Sequence, residues 1–149
     1  MRNLFFIILF SFLSNVNAQE TPDKIVAKFF NDYVKNGSSK AIDNLYASNK
    51  WMVRAKDAMT NLKSQLEGLN ESFVGKYYGN ELIVKKTLGE NFTLQSYLVR
   101  YDRQPIRFTF QFYKPNDKWI THSFKFDGEL DEEMEKAVMI NNLTYQPGQ

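Results

Sequence analysis

Three aromatic-rich segments, FTLQSYLVRY (residues 92–101), IRFTFQFY (106–113) and KWITHSFKF (118–126), decide how the chain folds. In the middle one, Ile106, Phe108, Phe110 and Phe112 alternate with Arg107, Thr109 and Gln111. That is the period-two pattern of a strand with one buried and one solvated face. Asp102-Arg103-Gln104-Pro105 and Pro115-Asn116-Asp117, which separate the segments, are suited to tight turns. Short connections make neighbouring strands antiparallel, so the three form a meander. A fourth strand is expected upstream, near Lys76–Thr87, where Gly75 and Gly79 signal a bulge or sharp bend before Gly89-Glu90-Asn91 turns the chain.

Parity gives an expected register. A two-residue turn at Arg103-Gln104 sets Tyr101 opposite Ile106, Val99 opposite Phe108 and Tyr97 opposite Phe110. A three-residue loop at Asn116-Asp117-Lys118 then pairs Phe108 with Phe126, Phe110 with Phe124 and Phe112 with His122. Only an odd loop keeps the apolar residues on one face, leaving Arg107, Thr109, Gln111, Thr121, Ser123 and Lys125 on the solvated one.

Helices are expected to cover the aromatic face. Thr21-Pro22-Asp23 has a hydroxyl cap, a proline at the first helical position and an acid in the first turn. Behind it Ile25, Val26, Phe29, Phe30, Tyr33 and Val34 form an apolar stripe, with Lys24, Lys28, Asn31, Asp32 and Lys35 facing out until Asn36-Gly37 ends the helix. Ala41, Ile42, Leu45 and Tyr46 mark a short second helix. Met52, Ala55, Met59, Leu62, Leu66 and Leu69 mark a third. After Asp127-Gly128, the acids Glu129, Asp131, Glu132 and Glu133 open a closing helix to Ile140 with Leu130, Met134, Ala137 and Val138 inward. The expected fold class is therefore α+β: N-terminal helices packed on a curved four-stranded antiparallel meander, with a short C-terminal helix. Residues 141–149 show no periodicity and read as a flexible tail.

The first eighteen residues carry an early arginine, an apolar block from Leu4 to Leu13 and a Val16-Asn17-Ala18 exit. This is the layout of a signal peptide cleaved after Ala18; the apolar block falls short of the roughly twenty residues that a membrane span needs. An exported protein, periplasmic or extracellular, is expected, with one domain over residues 19–140. The chain has no cysteine, so packing alone must stabilise that domain. Without Arg2 it keeps 18 basic against 17 acidic residues, well interleaved. That balance argues against nucleic acid or an anionic membrane as the main partner. Four N-x-[ST] triplets, at Asn36, Asn70, Asn91 and Asn142, read as turn and cap residues.

His122 is the only histidine, which excludes His-rich and Cys/His metal sites; no metal and no cofactor is expected. No serine lies in a G-x-S-x-G setting, and no glycine-rich phosphate loop follows a strand. Asp102, Asp117 and Asp127 read as turn residues. Lys85-Lys86 and the trio Arg100, Arg103 and Arg107 read as charges guarding a sheet edge. Tyr77, Tyr78 and Trp51 join Tyr97 and Tyr101 as candidates for core or for an aromatic pocket. By the expected register, Tyr97, Tyr101 and His122 are the polar tips on the aromatic face. With Phe110 and Phe112 they form the candidate ligand site.

The order of helix, short helix, longer helix, four meandering strands and closing helix resembles the nuclear-transport-factor-2-like superfamily. The likeness spans Pro22 to Phe126 and rests on the helices Ile25–Lys35 and Ala41–Tyr46 and on the strand pair Phe108–Lys114 and Lys118–Ile120. The closing helix is an addition to that plan, and a cystatin-like arrangement is the neighbouring alternative. The resemblance implies a cone that binds small apolar molecules, an outer sheet face that dimerises, or isomerase and dehydratase chemistry. The leading expectation is a non-enzymatic binding or interaction domain for a small apolar ligand or a protein partner, with a homodimer through the outer face as one arrangement. The alternative is a small isomerase or lyase with His122 as base and Tyr97 or Tyr101 as electrophile.

Overall fold

Thr21 opens α1 (Pro22–Asn36): its hydroxyl accepts the Lys24 backbone N–H at 3.4 Å, and Pro22 stands in the first turn. The computed structural model describes residues 20–144, with side chains described through residue 140. The predicted signal segment lies outside the described residues. Helix α1 buries Ile25, Val26, Phe29 and Phe30, and α2 (Ser38–Tyr46) buries Ala41, Ile42, Leu45 and Tyr46, as expected, but Val34, the last member of the α1 stripe, is 58% exposed. Among the described residues no helix is long and apolar enough to cross a membrane.

Asp32, expected to face solvent, is 6% exposed. Its carboxylate accepts from Lys28 Nζ (2.5 Å), Asn44 Nδ2 (2.8 Å) and Asn36 Nδ2 (3.0 Å), so it ties α1 to α2. These donors, the Lys28 ammonium foremost and Asn44 next, hold its pKa below the usual aspartate value. A depressed folded pKa adds stability that is present above the unfolded value and is lost as pH falls through the folded one. Replacing Asp32 by Asn should cost about 1–2 kcal/mol at neutral pH. The gap to wild type should narrow below about pH 4. Urea midpoints at neutral and acid pH check this; a gap independent of pH would show that the charge contributes nothing.

The expected third helix is broken. A 3-10 turn (Lys50–Arg54) precedes α3 (Lys56–Glu67), and a single turn α4 (Glu71–Val74) follows. The break begins at Asn49. Its side chain accepts the Trp51 backbone N–H (3.1 Å) and donates to the Thr121 carbonyl (2.9 Å), tightening the chain where a helix was expected to start.

Strands β1 (Tyr77–Leu88), β2 (Phe92–Tyr101), β3 (Pro105–Tyr113) and β4 (Ile120–Asp127) form one antiparallel sheet in the order β1-β2-β3-β4. With the helices before it and a helix after it, the architecture is the expected α+β one; the sheet is curved and not closed. Strand β1 slips register between Tyr77 and Gly79 and again between Leu82 and Val84. The first slip falls where the glycines suggested a bulge.

Register departs from expectation in two places. Across β2 and β3, Val99 pairs with Ile106 and Tyr97 with Phe108, two residues from the expected pairing. The even shift keeps every side chain on its expected face. Across β3 and β4, Phe108 pairs with Phe126 and Phe110 with Phe124 as expected, but Phe112 meets Thr121, and His122 is the extra residue of a bulge. Thr121 is therefore fully buried and His122 exposed, the reverse of the sequence reading. Two hydrogen bonds select Thr121 for the interior: its hydroxyl donates to the Leu45 carbonyl (2.7 Å) and its carbonyl accepts from Asn49.

The core is an aromatic cluster centred on Phe29, whose ring lies 5.1 Å from those of Phe110 and Phe124, 5.5 Å from Phe30, and 6.2 Å from Phe108. Met52, Met59, Leu62 and Leu69 are half-buried at its edge. On the other sheet face, α5 (Leu130–Thr144) runs beyond its expected end at Ile140. Arg107 holds it, donating to both Asp127 oxygens (2.9 and 3.2 Å) and to Glu133. Met134 and Val138, expected inward, are 65% and 53% exposed.

Candidate functional site

A cleft of about 430 Å³ opens at the edge of the aromatic core, where the end of α1, the α3–α4 connection and the start of β1 meet. Tyr33, Tyr77 and Tyr101 line it with Val34, Leu66 and Leu69. Each tyrosine arrives for a separate reason. Tyr33 continues the apolar stripe of α1; Tyr101 ends β2 on the inward face; Tyr77 pairs with Tyr101 across the β1–β2 ladder. Their rings meet edge to face, Tyr33 with Tyr77 at 6.2 Å and Tyr77 with Tyr101 at 5.8 Å.

The hydroxyls of Tyr33 and Tyr101 are 2.6 Å apart, and that of Tyr77 accepts from Asn80 Nδ2 at 2.7 Å. Burial pushes the Tyr33 and Tyr101 pKa values up. For Tyr101, proximity to the Tyr33 hydroxyl pushes it further. Both phenols therefore stay protonated at neutral pH. One proton serves the bond between them. The second proton and the remaining lone pairs are available to a guest, and so is the proton of Tyr77. Glu67, Glu71 and Lys76 also line the cleft.

The residues predicted as a site do not converge. Tyr101 is in the cleft, but the Tyr97 hydroxyl donates to Gln95 Oε1 (3.0 Å), whose amide in turn donates to Asp23 (2.9 Å). Phe110 and Phe112 are fully buried and stack on one another at 6.3 Å, so they are core. His122 is exposed, packs edge-on against Phe92 at 5.7 Å and does not line the cleft. The basic trio disperses too: Arg103 donates to the Ser72 carbonyl (2.8 Å), Arg100 reaches the Tyr78 carbonyl, and Arg107 is held by Asp127 and Glu133. Tyr78 and Trp51 are each 57% exposed and line neither core nor cleft.

Sequence reading missed Tyr33. The available signal was its hydroxyl: a tyrosine inside an apolar stripe needs a polar partner, and such partners gather where a pocket reaches the surface.

A groove of about 420 Å³ lies on the opposite sheet face beneath α5, lined by Ile83, Val84, Leu94, Leu130, Met134 and Ala137 around Arg107 and Glu133. Those two charges are engaged with one another, whereas the tyrosine hydroxyls of the first cleft can still turn to a guest.

Comparison of the chain with protein-family models, curated proteins and solved structures gives no match. The geometry of the cleft thus carries the functional reading.

Proposed function

We propose that this protein is an exported binding domain that takes a small, mostly apolar molecule bearing a carbonyl or hydroxyl group into the Tyr33–Tyr77–Tyr101 cleft. The observation that carries this is the neutral hydroxyl pair of Tyr33 and Tyr101 in a cleft walled by aromatic rings, Val34, Leu66 and Leu69. A volume of about 430 Å³ falls within the usual size of small-molecule sites. Aromatic faces bury the guest's hydrocarbon, and the phenols satisfy its one polar group. Binding, not turnover, is the favoured reading, because His122, packed against Phe92, is not among the residues that line the cleft. Membership of the nuclear-transport-factor-2-like superfamily remains part of this proposal and is supported by element order alone.

Cyclohexanone, a compact apolar ketone, is a suitable probe. In a ¹⁵N-labelled sample it should shift the amide signals of Gly75, Lys76, Tyr77 and Tyr101. Tyr101→Phe should weaken its binding about fivefold, the worth of one hydrogen bond. Neutral phenols also predict an affinity that is flat between about pH 5 and 8. Shifts confined to other surfaces, or none at all, would remove the assignment.

A further inference from the structure

The 3-10 turn Lys50–Arg54 presents apolar side chains to solvent. Trp51 is 57% exposed and Val53 70%, while Met52 between them turns in against the core. The Lys50 ammonium lies 5.4 Å and the Arg54 guanidinium 5.2 Å from the centre of the Trp51 ring. An adjoining groove of about 480 Å³ adds Lys56 and Lys63 over Met52 and Met59, with Lys63 paired to Asp43. Four cations thus gather here against Asp43 and Asp57, in a chain whose overall charge is close to neutral. Nor is the turn a frayed loop: Asn49 clamps it through the Trp51 N–H and the Thr121 carbonyl.

We propose that this turn docks the protein on an anionic lipid surface. An indole suits the headgroup level of a bilayer, and a neighbouring aliphatic side chain can reach the acyl boundary. Lysine and arginine beside them are drawn to anionic headgroups. A soluble polyanion would engage the same cations but leave Val53 in water, so a bilayer uses all of the patch. Charges balance over the whole sequence, so the concentration shows only when residues 50–63 are taken by themselves together with their exposure. The proposal rests on residues separate from the tyrosine cleft and stands or falls independently of it.

The test reads the turn itself. Trp119→Phe leaves Trp51 as the sole tryptophan of the full chain, so its emission reports only on this site. Vesicles with about 30% phosphatidylglycerol should shift that emission to the blue at low salt, with a partition coefficient at least tenfold above that for neutral phosphatidylcholine vesicles. About 0.5 M salt should reverse the shift. Lys50→Ala with Arg54→Ala should weaken partitioning roughly tenfold. Lys86→Ala with Lys125→Ala, which removes equal charge elsewhere, should leave it unchanged. No shift with anionic vesicles, an equal shift with neutral ones, or equal loss from the two double variants would overturn the proposal. So would the same shift with inorganic phosphate alone, which would reassign the patch to a soluble anion. Circular dichroism confirms that each variant is folded; all four substituted cations are exposed, so folding should persist.

Discussion

Phe29→Ala is expected to lower stability by about 3–5 kcal/mol, the cost of deleting a fully buried aromatic ring whose neighbours cannot close the gap. Phe29 is 1% exposed and its ring meets those of Phe30, Tyr33, Phe108, Phe110 and Phe124. Those neighbours come from α1, β3 and β4, so no single element can shift inward to fill the space. The loss should appear as a fall in Tm on the order of 15 °C for a domain of this size. Phe73→Ala provides the contrast: that side chain is 60% exposed, and its removal should change stability by less than about 0.5 kcal/mol. Thermal unfolding of both variants checks the pair. A Phe29 variant within about 1 kcal/mol of wild type would mean that this ring is not the hub its contacts suggest.

The sheet was legible because its signal is local. Alternation in 106–113 sets the buried face of β3, and short polar turns set the antiparallel meander; neither depends on distant residues. The first two helices were legible for the same reason, through their four-residue apolar spacing. The failures share a different cause. Thr121 goes inside because of hydrogen bonds to Leu45 and Asn49, more than seventy residues earlier in the chain. One extra residue in the ladder then reverses the alternation that had placed His122. Asp32 is buried because Asn36, Asn44 and Lys28 converge on it, which helical periodicity cannot show. For α5, amphipathic spacing promised a covered face, yet Arg107 ties the helix to the sheet through Glu133 while Met134 and Val138 stay in solvent.

The site follows the same division. Tyr101 could be found, since parity put its hydroxyl on the aromatic face near the end of a strand. Its partner could not, because the Tyr33–Tyr101 bond joins residues 68 apart in sequence. Phe110 and Phe112 illustrate the converse. A run of aromatics reads alike whether it lines a pocket or fills a core, and here the Phe29 and Phe30 rings of α1 fill the space over it.

Gly75→Ala should be nearly as damaging as loss of the central phenylalanine, and it should also disturb the cleft. Gly75 has φ 83° and ψ −171°, a region that is essentially closed to residues with a side chain. A Cβ there would lie 2.5 Å from Asp102 Cβ and 3.1 Å from the Arg103 nitrogen. Backing away is not open to the chain. On either side of Gly75, the Val74 carbonyl accepts from the Arg103 N–H (3.0 Å) and the Lys76 carbonyl from the Asp102 N–H (2.9 Å), stitching the entry to β1 onto the β2–β3 turn. Gly37 separates the two costs. It has a similar backbone, φ 86° and ψ 165°, but nothing within 4 Å of the added carbon. Gly37→Ala should therefore show only backbone strain, about 1–3 kcal/mol. Gly75→Ala adds the steric clash and should reach about 3–5 kcal/mol. Equal losses in urea unfolding would show that the β2–β3 turn yields freely. Because Gly75, Lys76, Tyr77 and Tyr101 all line the cleft, relief of the clash must move its wall. The Gly75 variant should then bind the ketone probe more weakly than Tyr101→Phe does, whereas Gly37→Ala, outside the cleft, should bind it as wild type does.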